Sequence, residues 1–243
     1  MIATALLRSW LKRAALGGIA LAVAGLVIGA AAAGSAAGSQ TSTRLAGAKK
    51  ALLVKADFPS GWTSQGSVST TTSSNGSFPG EDQLASCLGV PKSVVNVNPP
   101  SATSPTFQNA AGNQFVEDNV SAFRSAKVAS GQYTAIANPK VPACLTSLFQ
   151  GPAKSELDNA AGKDVSLGKA TVAAVSPSAL VPHSSGFVVA FDVTTKGVTV
   201  PSSVAVISMV RGAYGSELTL TSVGTPISNS LSRQLASTAY GRT

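Results

Sequence analysis

The stretch SVAVISMVRGAYGSELTLTSV, residues 203–223, decides the fold class. Val, Ile, Thr and Tyr are frequent in it, and these side chains favour extended backbone. Glycines at 212 and 215 interrupt it near the middle, so it reads as two strands folded back on each other about that point. Working outward, GFVVAFDVT (186–194) alternates Phe187, Val189, Phe191 and Val193 against Val188, Ala190, Asp192 and Thr194. That is the period of a strand with one face turned inward. TTKGVTVPSS turns the chain between these segments, and KATVAAV (169–175) adds one more strand. The last third is therefore an antiparallel meander.

Elsewhere the period becomes helical. Leu45, Ala48, Leu52 and Ala56 form a stripe that ends at Phe58, because Pro59 disfavours helix in the residue before it. Leu84, Cys87 and Leu88 share one face of a short helix, with Glu81 and Asp82 in its first turn, and Gly89 and Pro91 close it. Val116, Val120, Phe123 and Ala126 predict a helix that ends near Gly131. Val141, Leu145, Leu148 and Phe149 predict another, stopped by Gly151-Pro152. Thr225 reads as the N-cap of a closing helix with Pro226 at its first position, and Ile227, Leu231, Leu235 and Ala239 follow. WTSQGSVSTTT (62–72) reads as one strand, TFQNAAGNQFVED (106–118) as two short ones, and 73–82 and 95–105 as loops. The expected class is α+β, a largely antiparallel sheet with helices packed on it.

The N-terminus is not part of that domain. MIATALLRSWLKR carries Arg8, Lys12 and Arg13 and no acid, and the following twenty residues, 14–33, carry no charge. A basic region before an apolar one is the pattern of an export signal. Residues 1–37 read either as a cleaved signal peptide or as a retained N-terminal membrane anchor; 38–44 read as a flexible connector, and 45–243 as the extracytoplasmic domain. Without the three N-terminal cations, 15 basic residues face 10 acidic ones, a net of about +5. They are scattered and not interleaved with aromatics, so nucleic acid is not an expected partner. A weak pull toward anionic lipid or wall polymer is compatible with the charge.

Catalytic apparatus is hard to find. His183 is the only histidine, in a proline-bounded loop, which leaves neither a metal site nor a triad with much to build on. There is no G-x-S-x-G, no GxGxxG and no phosphate-binding loop. Glu81-Asp82 and Glu117-Asp118 read as carboxylates at element ends. No cofactor is expected. Trp62 reads first as a core anchor and second as a ring on a binding cleft. Arg211 and Tyr214 flank a hairpin tip, where they are candidate ligand contacts or simply a solvated turn.

Export also bears on the cysteines. There are two, Cys87 and Cys144, and both lie on apolar stripes of short helices with no Lys, Arg or His in the same turns. A reactive thiol needs an electropositive, exposed niche. An even count in an oxidising compartment predicts a Cys87–Cys144 disulfide.

Several segments taken together resemble a known group: the exported N-terminus, ALLVKADFPSGW (51–62), the helix bearing Cys87, FVEDNVSAFRS (115–125), the second cysteine in PACL, and a final meander closed by a helix. They resemble actinobacterial exported sensor-domain-containing proteins. That group is similar to the extracellular sensor domain of the mycobacterial receptor kinase PknH and to mycobacterial cell-envelope lipoproteins, some of PsbP-like fold. The chain departs from it in having no kinase domain, no lipid-attachment cysteine and fewer cysteines. The resemblance implies an envelope location and a binding or sensing role. The expected function is a non-catalytic extracytoplasmic ligand-binding or sensor-like domain, with a small ligand, a wall component or an envelope protein as partner. The alternatives are an exported hydrolase using carboxylates and an envelope scaffold protein.

Overall fold

A computed structural model describes residues 37–72, 80–95, 99–151 and 165–243. The export segment at 14–33 lies outside the described residues, as does most of the expected loop at 73–82. Among the described residues no helix is long and apolar enough to cross a membrane.

The elements run α1 (Ala37–Ala51), a 3-10 turn (Lys55–Asp57), β1 (Thr63–Gln65), β2 (Ser69–Thr71), α2 (Glu81–Leu88), α3 (Lys92–Val95), β3 (Ser101–Thr103), β4 (Thr106–Gln108) and β5 (Gln114–Ala122). Then follow α4 (Ala126–Ile136), α5 (Val141–Gln150), β6 (Val165–Leu167), β7 (Thr171–Ala174), a second 3-10 turn (Pro177–Ala179), β8 (Ser184–Thr195), β9 (Val198–Arg211), β10 (Tyr214–Val223) and α6 (Asn229–Arg242). The class is α+β, and the described residues place ten strands in one antiparallel sheet whose main path is β1-β4-β5-β10-β9-β8-β6. Short strands share edges: β3 and β4 both pair with β5, and β6 and β7 both pair with β8.

The meander is built as its sequence predicts. Gly212 and Ala213 alone separate Arg211 from its partner Tyr214, and Gly212 takes φ 60°. A positive φ at the first turn residue suits the twist of the strands it joins. At the other end of β9, Lys196 and Gly197 both adopt positive φ, 49° and 76°, as a tight two-residue hairpin requires.

Helices cover both faces of the sheet. On the first, Ile207, Leu218 and Leu220 meet Leu235, Ala236 and Ala239 of α6, together with Leu53, Phe58 and Trp62. Ala48 and Ala51 of α1, with Leu52 just after it, pack on Val120 and Ala122 of the same face. On the second face, Phe187, Val189, Val204 and Val206 meet Leu84 and Leu88 of α2 and Leu145, Leu148 and Phe149 of α5. Each such Leu, Val or Phe contributes about 1.5–3 kcal/mol by leaving water.

The predicted disulfide joins Cys87 and Cys144, tying α2 to α5. The two sulfurs are not equivalent, however. Cys144 is 3% exposed, whereas Cys87 faces solvent, against the expectation that both point inward.

Five local expectations change. Residues 38–44 are not a connector but part of α1. The single strand expected at 62–72 is two, broken at Gly66, which has φ 82°. The loop expected at 95–105 contains β3. The helix read from Val116, Val120 and Phe123 is strand β5 as far as Ala122, and α4 starts only at Ala126 after the N-cap Ser125. A spacing of four fits a helix turn and is also an even number, so Val116 and Val120 share a face in a strand as well. Pairing with β10 along nine residues settles it. Finally, α6 is capped by Ser228, whose Oγ accepts from the Leu231 amide at 3.2 Å, not by Thr225. The carbonyls of Thr225 and Pro226 instead accept from Gln114 Nε2, which holds that segment against the end of β5.

Candidate functional site

The three ligand candidates do not converge. Trp62 is 6% exposed and lies against Phe58, ring centroids 5.1 Å apart, inside the first-face core. Arg211 is exposed, but its Nη1 donates to the carbonyls of Tyr240 (3.4 Å) and Gly241 (3.2 Å), and its guanidinium sits 5.7 Å from the Tyr240 ring. It caps the last turn of α6, where a cation is favoured. Tyr214 packs with the α1 cluster, its ring against Gly47 so closely that a Cβ there would collide with the hydroxyl. His183 is exposed in its loop, 6.5 Å from the Tyr240 ring.

The chemistry lies in the central strands. Asp118 and Glu217 are both fully inside, on β5 and β10, and belong to opposite faces of the sheet. Leu218 pairs with Asp118 and Ile207, which places Asp118 in the first-face row. Glu217 pairs with Asn119 and Ser208 in the second-face row. The expectation that Glu117-Asp118 lies at an element end is therefore corrected: both are mid-strand.

Asp118 is a structural acceptor. One oxygen accepts the Leu53 amide at 3.0 Å and the other the Ser216 hydroxyl at 2.8 Å, while its own amide donates to Ser104 Oγ at 3.0 Å. It thereby fastens the segment after α1 to the sheet. Nearby, Arg242 grips Asp57 through two nitrogens, at 2.7 and 2.6 Å, and donates to the Leu52 carbonyl. Burial raises the Asp118 pKa to about 7, against the opposing pull of its two hydrogen bonds and of Arg242. Asp118→Ala is expected to lower the unfolding free energy by about 2–4 kcal/mol, because it strands two buried donors. Urea denaturation measures it. Amides at 52–58 should exchange faster in the variant, and a variant as stable as the parent would exclude this role.

Glu217 is different. It is 5% exposed, and neither carboxyl oxygen has a hydrogen-bond partner among the described residues; nor has the Ser208 hydroxyl opposite it. Burial, and then the charges of Asp118 and Glu117, push its pKa up to about 8. The Glu117 carboxyl is also raised, by burial, although it accepts from the Thr106 hydroxyl at 3.3 Å. Unpaired buried polar groups are uncommon, because each costs about 1–3 kcal/mol.

The space above Glu217 explains its position. Helix α4 stands off the sheet there and leaves a pocket with Glu217, Ser208 and Asn119 on the sheet side. Phe123, Tyr133, Ile136 and Val210 also line it. The pocket is half open and holds about 380 Å³ of empty space, open solvent included. A second, apolar cavity lies on the other side of Gln132 and Ile136, against Leu84, Leu88, Val141 and Phe187. Among the described residues that line the first pocket, Glu217 is the only carboxylate and there is no imidazole. Among the described residues no group of three His, Cys, Asp or Glu could hold a metal ion.

Sequence reasoning missed this site. In the second-face row Gly215, Glu217, Thr219 and Thr221 alternate with Ser216, Leu218 and Leu220, which reads as a polar face turned to water. The available signal was in β5, where both Glu117 and Asp118 lie between valines, so one carboxylate has to share the valine face.

Fold and site together define an α+β domain with a sheet covered by helices on both faces and a carboxyl-floored pocket beneath one helix. No family model matches the sequence, and no curated protein matches it. Among solved structures the chain is similar to the extracellular domain of PknH from Mycobacterium tuberculosis, with a TM-score of 0.46 and 13% identity over 81% of this chain and 94% of that one.

Proposed function

We propose that the chain is a non-catalytic, extracytoplasmic ligand-binding domain of sensor-like type, and that its binding site is the pocket beneath α4. The observation that carries this reading is the Glu217 carboxyl, buried without a partner at the floor of a cavity open at one end. Such a group is costly in an empty protein and is offset when a ligand supplies the missing hydrogen bonds.

Two features support export. One is the basic-then-apolar N-terminus. The other is the Cys87–Cys144 disulfide, since such bonds persist in oxidising compartments. The mass of the mature N-terminus distinguishes a cleaved signal, which starts the chain near residues 34–38, from an anchor that retains Met1. The non-catalytic reading is supported by the pocket's contents. Among the described residues that line the pocket there is one carboxylate, Glu217, and no imidazole, whereas hydrolysis uses paired groups facing the substrate.

Binding is tested by filling the cavity. Small amines, alcohols, amides, carboxylates and sugars are screened by thermal shift against the full chain and against Ser208→Leu. Compounds that occupy the pocket raise the melting temperature of the parent and not of the filled variant. If every compound that binds does so equally to both, the pocket is not the site.

A further inference from the structure

The pocket also carries information about what it holds. We propose that it receives a primary amine on a short apolar chain, with the ammonium group seated against Glu217 and Ser208. The inference rests on the pocket reading above and names the ligand's chemical class.

The first argument is a match of donors to acceptors. An alkylammonium group carries three N–H donors. Both Glu217 oxygens and Ser208 Oγ lack partners among the described residues and can accept from it, and the Gln132 side chain lines the pocket beside them. The β10–β9 register sets Glu217 and Ser208 directly opposite each other on one face, which brings their Cβ atoms within about 5.5 Å.

The second argument is charge. The side chains whose charges bear on Glu217 are Asp118 through the sheet and Glu117 on β5, both acidic. Tyr133 faces the pocket from α4, and no Lys, Arg or His among the described residues lines it. This acidic patch lies in a chain with a formal net charge of +8. A carboxylate or phosphate ligand finds no cation to pair with there and is repelled whenever these carboxyls ionise, whereas an incoming cation favours the ionised form of Glu217 and so gains its complement. A metal ion is a poor fit, because it needs several converging ligands and the pocket offers one carboxylate.

The third argument is size and surroundings. The pocket is small and open on one side, which suits a slender head group such as an aminomethyl end. The rest of the ligand then lies against Phe123, Ile136 and Val210. A longer chain has the neighbouring apolar cavity beyond Ile136 available to it.

Binding has a defined proton balance. With the Glu217 pKa at about 8, the carboxyl of the empty pocket is protonated at neutral pH. An incoming R–NH3+ ion pairs with the carboxylate, and the carboxyl proton leaves to solvent. Affinity for the ammonium ion therefore rises with pH between about 6 and 8, approaching roughly tenfold for each pH unit, whereas a neutral hydrogen-bonding ligand has no such dependence.

The test uses the full chain with hexylammonium, 1-hexanol and hexanoate. Binding is followed by calorimetry in buffers of different ionisation enthalpy and by methyl NMR of Ile136 and Val210. The expected result is hexylammonium binding at least tenfold tighter than either other probe, with release of nearly one proton at pH 7. Glu217→Gln should lose at least tenfold in affinity while the Ile136 and Val210 signals remain those of a folded domain. If hexanol shifts those methyls and hexylammonium binds no tighter, the pocket stands and the amine assignment falls. Affinity that falls with rising pH, or is unchanged in Glu217→Gln, overturns the assignment too. If none of the three probes moves the methyls, both the assignment and the pocket reading are overturned.

Discussion

Replacing Cys87 by Ser together with Cys144 by Ala is expected to lower the unfolding free energy by about 4 kcal/mol. The bond closes a loop across a sequence separation of 57 residues. By the chain-entropy relation, opening a loop of that length frees the denatured chain by about that amount. The folded state itself loses little. Cys87 is exposed, so serine there costs nothing in packing, and alanine at the buried Cys144 leaves a space of one sulfur among Leu145, Leu148 and Leu84. Guanidinium denaturation of the oxidised parent and the double variant measures the difference, and a change below about 1 kcal/mol would remove the staple from the account. The exposure of Cys87 adds a kinetic expectation. A small thiol reductant should cleave the bond in the native protein at a rate that does not follow global unfolding, since one sulfur is on the solvent side.

The second large effect is on pH. Glu217 has a folded pKa of about 8 against an ordinary 4.5, and Asp118 about 7 against 3.8. Between those values the folded chain holds protons that the unfolded chain has released. Stability is therefore fully present below about pH 4 and is lost as the pH rises toward 8, opposite to a carboxylate held low by a salt bridge. A tenfold difference in proton affinity between the folded and unfolded chain corresponds to about 1.4 kcal/mol, so Glu217 alone accounts for up to roughly 4 kcal/mol across this range. Glu217→Gln, which cannot ionise, should match the parent near pH 4.5 and exceed it by a few kcal/mol at pH 8. Melting curves of the two proteins from pH 4 to 9 give the answer. Curves that stay parallel would show that Glu217 does not titrate in this window.

Both effects bear on the proposed role. A pocket that keeps an unpaired carboxyl at a cost in stability has a reason to do so only when something else completes its hydrogen bonds. A domain stapled across α2 and α5 can carry that cost, because the disulfide weakens the competing unfolded state.

Parts of this structure were legible in the residues and parts were not. The β9–β10 hairpin was readable because Gly212 marks the turn and β-branched side chains continue on both sides of it. Helix α5 was readable because Leu145, Leu148 and the adjacent Phe149 share one face, which a helix allows and the alternation of a strand does not. Strand β5 was misread because Val116 and Val120, four apart, satisfy both periods, and the choice depended on a partner strand about a hundred residues away. The start of α6 moved three residues because Gln114 engages the carbonyls at 225 and 226, a contact across a sequence separation of 111–112 that no local pattern announces. Arg211 looked like a ligand contact at a hairpin tip until the fold brought the end of α6 beside it.

The sequence by itself determined the α+β class and the pairing of its two cysteines, and it shows a single histidine. These depend on local period, on an even cysteine count and on which residue types are present. Only the tertiary structure decided where the candidate pocket is. Glu217 sits in a row with Thr219 and Thr221 that reads as a solvent face. It became a buried carboxyl when the sheet formed and α4 was laid across it. Burial and the absence of a partner are properties of everything packed around a residue, so neither is carried by the residue's own neighbours in the chain.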